Sequence, residues 1–104
     1  MMNTKYKLVY LPLFEEDLSK AVDYISIGLK NRQAALKLIN SVEKLILKRL
    51  SSPLAFEPYN SLKDRKETYY RIYVKNFTIF YVVIGDVMEV RRFIYGKRRL
   101  AELV

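Results

Sequence analysis

Residues 77–99 read FTIFYVVIGDVMEVRRFIYGKRR, and this stretch decides the fold. From Phe77 to Ile84 there is no charge, so a strand built from it is apolar on both faces and belongs in the middle of a buried sheet. Gly85-Asp86 is a two-residue hairpin signal, and a second strand follows. It carries Arg91 and Arg92, then Phe93, Tyr95, Lys97, Arg98 and Arg99. Guanidinium groups are costly to bury without partners, so most of these cations are expected to reach solvent or an anion. A small sheet with a basic, aromatic-studded edge suits a phosphate backbone or an acidic protein segment.

Working outward, Thr68 to Val74 alternates, with Tyr70, Ile72 and Val74 on one face and Tyr69, Arg71 and Tyr73 on the other. Lys75-Asn76 supplies the turn into the apolar strand, although Asn lacks the glycine that usually follows it. At the other end of the chain, Lys5 to Tyr10 alternates as a short strand, and Pro12 then opens a helix. Phe14, Leu18, Ala21, Val22, Ile25 and Leu29 recur at helical spacing, with Gly28 as the expected stop. Asn31 is the expected cap of a second helix, whose stripe is Ala35, Leu38, Ile39, Val42, Leu45, Ile46 and Leu50. The short connection makes the two an antiparallel hairpin. Ser51-Ser52-Pro53 ends it and opens a loop that runs to Lys66. After Gly96, the tail from Lys97 to Val104 can form a short helix.

The element order therefore predicts an α+β domain over residues 1–104. It has an N-terminal strand, an antiparallel helical hairpin, then a three-stranded antiparallel meander and a short C-terminal helix. The helices pack on one face of the sheet, because each has one apolar stripe to cover; the other face is expected to stay free. Among 104 residues, nineteen Lys and Arg oppose eleven Asp and Glu, a formal charge of +8 spread evenly over both halves. That charge favours polyanions and acidic partners, or simply solubility. With neither Cys nor His in the chain, disulfides, thiolate or imidazole metal sites and Ser-His triads are excluded. No metal or other cofactor is expected. The longest apolar run falls far short of the ~20 residues that cross a bilayer, and the N-terminus has no signal-peptide core, so a cytoplasmic protein without a membrane partner is expected.

In order and motifs the chain resembles the RelE/ParE superfamily of bacterial type II toxin–antitoxin modules. The residues that carry the resemblance are YKLVYLP before FEEDL, Tyr24-Ile25 and the basic amphipathic second helix. Tyr70-Arg71-Ile72, Asn76-Phe77, Phe80-Tyr81 and Arg92-Phe93-Ile94-Tyr95-Gly96-Lys97-Arg98-Arg99 complete it. The resemblance implies a toxin that halts growth and is neutralised by an acidic cognate antitoxin wrapped over its surface. ParE-like members poison DNA gyrase. RelE-like members cleave messenger RNA on the ribosome, without metal, using cations to hold the phosphate. At the position of a catalytic arginine in RelE-like sequences, two residues after the strand opens, this chain has Thr78. The later arginine is matched by Arg98, while the tail Leu100 to Val104 carries no aromatic. The ParE-like branch is therefore favoured. A ribosome-dependent endoribonuclease is the alternative, with Arg71, Arg98 and Tyr95 as catalytic candidates and Glu89 as a second proton-transfer group. A non-toxic basic binding module is a third reading. In every case the target-binding or phosphate-binding candidates are Arg91, Arg92, Lys97, Arg98 and Arg99.

Each candidate also has a plainer explanation. Arg71 can equally be a guanidinium stacked on Tyr69 and Tyr73 and paired with an acid. Tyr81 is expected in the core, needing only a partner for its hydroxyl. Tyr6, Tyr10 and Tyr24 are expected in core-building elements, leaving Tyr69, Tyr73 and Tyr95 at the surface. Lys63, Arg65 and Lys66 form a solvated loop run, and Lys37, Lys44, Lys48 and Arg49 a wet helix face. Glu15, Glu16 and Asp17 are explained by the helix dipole, since adjacent carboxylates diverge around a helix.

Overall fold

The all-apolar strand lies second from one edge of a four-stranded sheet. A computed structural model of the chain describes residues 6–59 and 66–96. The elements are β1 (Lys7–Tyr10), α1 (Pro12–Asp23), a π-helical turn (Tyr24–Gly28), α2 (Arg32–Leu50), β2 (Tyr69–Val74), β3 (Phe77–Ile84) and β4 (Val87–Tyr95). The sheet order is β1-β4-β3-β2. β2, β3 and β4 form the expected antiparallel meander, while β1 pairs with β4 in parallel. β3 thus has a neighbour on both sides, which its uncharged sequence requires. The expected C-terminal helix and Lys97, Arg98 and Arg99 lie outside the described residues, as do Lys63 and Arg65.

Local chemistry places the helices. Pro12 occupies the first turn of α1, and the Asn31 side chain accepts from the Ala34 amide at 3.0 Å to cap α2. Ala35, Leu38, Val42 and Ile46 form the buried stripe of α2, spaced three or four apart. They meet Tyr70, Ile72, Ile79, Tyr81, Met88 and Val90 from the sheet, with Phe14 of α1 closing the same core.

Two features differ from the sequence reading. The first helix does not run regularly to Gly28: over its last five residues it widens into a π turn, with Leu29 N donating to Tyr24 O at 2.9 Å. The wide turn shifts the phase of the residues after it, so Leu29 is 56% exposed rather than in the core, and Tyr24, where the turn begins, is 64% exposed. Gly28 accommodates it, because a Cβ there would lie 3.3 Å from the Tyr24 ring. The second difference is on the face away from the helices. It is partly covered, since Phe80 and Ile94 are buried there against Tyr59 and Tyr69, and Tyr59 bridges to β2.

Candidate functional site

The basic end of the sheet is shaped by a β-bulge. Tyr81 pairs with Val90 but Phe80 pairs with Arg92, leaving Arg91 as the extra residue. Two consecutive arginines thereby find partners in different places. Arg92 turns to α1, where Asp17 accepts from its Nε at 2.8 Å and its Nη2 at 3.2 Å. Asp17 also accepts from the Phe93 amide at 3.0 Å. β1 has ended by this point, its last link being Leu11 N to Val90 O at 2.9 Å, so Asp17 supplies the acceptor that a longer β1 would have given. The carboxylate expected only to complement the helix dipole is a clamp between α1 and the open edge of β4.

Arg91 is held by acids as well. Glu89 Oε1 lies 2.7 Å from its Nε and Nη2, and Glu67 Oε1 lies 3.3 Å from Nη1, which also donates to the Tyr69 hydroxyl at 3.0 Å. Burial works against the charge of Arg91, but the hydrogen bonds with Tyr69 and Glu89 more than offset it, raising its pKa above the ordinary arginine value.

Arg71 lies on the sheet face away from the helices. Its guanidinium carbon is 5.1 Å from the Tyr59 ring centre and 5.8 Å from that of Tyr73, and among the described residues no carboxylate pairs with it. The aromatic half of the plain reading holds, with Tyr59 in place of Tyr69. Arg49, expected on a wet face, is instead turned inward. Its Nη1 donates to the Tyr81 hydroxyl at 3.0 Å and to Arg71 O at 3.1 Å, and the guanidinium lies 3.5 Å over the Phe56 ring. Tyr81 is fully buried, as expected, and donates its own hydroxyl to Pro53 O at 2.7 Å.

Tyr95 is 63% exposed and packs edge-on against Phe77, itself stacked on Phe93 on the helix-bearing side. The structure therefore does not bring Tyr95 and Arg71 together. They lie on opposite faces, two strands apart, and Arg71 is three residues along β2 from the position level with Tyr95, about 10 Å of strand. Thr78 is buried, with its hydroxyl donating to Gly96 O at 3.4 Å. Glu89 is occupied by Arg91. Among the described residues no group of Asp and Glu could hold a metal ion, and none of the helices is long and apolar enough to cross a membrane.

Beside Tyr95, on the helix-bearing side, a groove of about 780 Å³ opens between α1, the π turn, the start of α2 and the β2–β3 turn. Ala21, Ile25, Leu38, Phe77 and Phe93 form its apolar walls, and Lys20, Lys37 and Lys75 stand around it. Sequence reasoning missed this groove. The lysines come from three separate elements, and nothing in their spacing marks them as neighbours.

A mixed sheet under a helical hairpin, with a basic exit from its last long strand, is the fold of the RelE/ParE toxins. A family model of the ParE toxin of type II toxin–antitoxin systems, parDE, matches residues 8–100, and the chain belongs to that family. No curated protein sequence matches it. Among solved structures, a chain of the chromosomal ParDE toxin–antitoxin system from P. aeruginosa superposes with a TM-score of 0.67 at 15% identity, covering 91% of this chain and 100% of that one. A chain of the E. coli DinJ-YafQ toxin–antitoxin complex gives 0.57 at 9% identity, covering 88% and 92%. YafQ from E. coli strain BL21(DE3) gives 0.57 at 10% identity, covering 95% and 99%. At these identities the likeness is one of fold.

Proposed function

We propose that this ParE-family chain arrests growth by binding and poisoning DNA gyrase, without chemistry of its own, and is neutralised by an acidic cognate antitoxin. The observation that carries the reading is the separation of the candidate catalytic groups. Arg71 and Tyr95 lie on opposite faces of the sheet, and Glu89 is held by Arg91. General acid–base catalysis needs its groups within hydrogen-bond reach of one substrate, which this arrangement does not favour. The charge of +8 suits an acidic antitoxin and an anionic target surface. Since Arg91 and Arg92 are neutralised internally, target contact falls mainly to Lys97, Arg98 and Arg99.

The test pairs two assays on the purified chain: DNA cleavage complexes with gyrase, and cleavage of message in a reconstituted translation reaction. Accumulated gyrase complexes with intact message are expected. Cut message with unaffected gyrase would overturn the reading in favour of a ribosome-dependent endoribonuclease, which the Arg71 guanidinium between Tyr59 and Tyr73 would serve as a phosphate contact. A chain without effect in either assay, or on growth, would be a non-toxic binding module.

A further inference from the structure

The two edges of the sheet are closed in different ways. β1 has four residues and runs into Pro12, too short to seat another strand. β2 has six, YYRIYV, with one charge, no Gly or Pro, and only aromatic or β-branched side chains besides, a composition that pairs readily with a further strand. In an antiparallel ladder alternate residues turn their N–H and C=O groups away from the neighbouring strand. On β2 these are Tyr69, Arg71 and Tyr73, since Tyr69 O and Arg71 O accept from groups outside the sheet.

Two of these three positions are covered. Tyr59 N donates to Tyr69 O at 2.7 Å, and Arg49 Nη1 donates to Arg71 O at 3.1 Å. Among the described residues nothing bonds to the outward backbone of Tyr73. The covering groups belong to one assembly. Residues 51–59 leave α2 on the helix-bearing side, where Pro53 O accepts from Tyr81, and reach the opposite face, where the Tyr59 ring packs edge-on to Phe80 at 5.1 Å. Arg49 is fixed by the Tyr81 hydroxyl and by the Phe56 ring of the same segment. It gives the Arg71 carbonyl the donor that an added strand would otherwise bring, and such a strand must displace it.

We propose that Arg49 and the segment 51–59 guard the β2 edge against a second copy of this chain, and that the edge beneath them is a strand-pairing surface. With Arg49 gone and Tyr59 still on Tyr69, Arg71 and Tyr73 are open together. Antiparallel pairing about Ile72 then sets Arg71 opposite the partner's Tyr73, and Tyr73 opposite the partner's Arg71, with N–H···O bonds exchanged in each pair. The side chains suit this register. A guanidinium meets an aromatic ring, the contact Arg71 already makes with its own Tyr73 at 5.8 Å, whereas pairing about Arg71 would oppose two like charges. The charge of +8 on each copy opposes association, and physiological salt screens it over about 8 Å.

Light scattering on purified variants at physiological salt, each well below its own melting temperature, tests the proposal. The wild type should be a monomer and Arg49→Met a dimer at the same concentration, its mass doubled. Tyr81→Phe loosens the same node but leaves Arg49 on Arg71 O, so it should stay a monomer. Tyr73→Pro removes an outward N–H and spares the bonds to β3, so adding it to Arg49→Met should restore the monomer. If Arg49→Met melts too low to assay, the series is repeated in the Lys30→Gly background, which relieves a left-handed φ of +54°. A monomeric Arg49→Met, a dimeric Tyr81→Phe, or a dimer that survives Tyr73→Pro would each overturn the proposal, as would a wild type that already dimerises.

Discussion

Removing one oxygen atom tests how the core is tied to the chain that crosses it. Tyr81→Phe leaves the ring and its stack on Tyr70 in place but deletes a hydroxyl that donates to Pro53 O at 2.7 Å and accepts from Arg49 Nη1 at 3.0 Å. The Pro53 carbonyl then loses that donor, while Arg49 keeps the Arg71 carbonyl and the Phe56 ring. Loss of a buried bond of this kind, one side of it to a cation, costs about 1–3 kcal/mol. At about 4–8 °C per kcal/mol for a small domain, the melting temperature should fall by roughly 5–20 °C. Tyr81→Ala adds a cavity and should cost about 3–5 kcal/mol, much of the stability of such a domain. Thermal melts of Tyr81→Phe, Arg49→Met and the double variant complete a cycle, with a coupling of about 0.5–3 kcal/mol expected for groups in one network. A Tyr81→Phe melt that overlays the wild type, or strictly additive losses, would show that this node does not hold the segment after α2 to the sheet.

Asp17→Ala should destabilise the fold by about 2–3 kcal/mol in a urea titration, below the ~3–5 kcal/mol of a fully buried broken pair, because Asp17 and Arg92 are 14% and 16% exposed. Lys30 holds a left-handed φ of +54°, so Lys30→Gly should gain about 1 kcal/mol, read as a higher melting temperature. Burial raises the pKa of Tyr81, with Arg49 partly opposing, and burial followed by Glu43 and Glu15 raises that of Tyr10. Both folded-state values exceed the ordinary 10.0, so the stability these phenols contribute is present below that pH and is lost as pH rises through the folded values. Urea midpoints across this range should fall less steeply for Tyr10→Phe than for wild type. If Arg98 only attracts an anionic target surface, Arg98→Lys should keep toxicity and Arg98→Glu should lose it at matched expression. Loss with Lys would instead mark a transition-state contact that needs a planar fork of donors.

Most of the architecture was legible because its signals are local. The alternation of Thr68 to Val74, the uncharged run of β3, the Gly85-Asp86 turn and the Asn31 cap each depend on a few neighbouring residues and the backbone geometry they favour. Even the bulge left a trace: Met88, Val90 and Phe93, all in the core, are spaced two and then three apart. The π turn left none, since Leu29 fits a regular helical stripe and only the wider turn takes it out.

By itself the sequence determined the elements, their order, a core with one helical stripe per helix, and a basic exit from the last long strand. Tertiary structure alone decided which charges remain for a partner. Parallel pairing of β1 with β4 stops at Tyr10, so Asp17 comes to rest against Arg92 and Phe93 across 75 residues of chain. The bulge turns Arg91 to Glu67, Glu89 and Tyr69, and the folded-back hairpin gathers Lys20, Lys37 and Lys75 around one apolar groove. A charge carries no local preference for its partner. Whether an arginine is neutralised or left for another molecule depends on distances of a few ångströms between segments far apart in the chain, and those distances exist only once the core has closed.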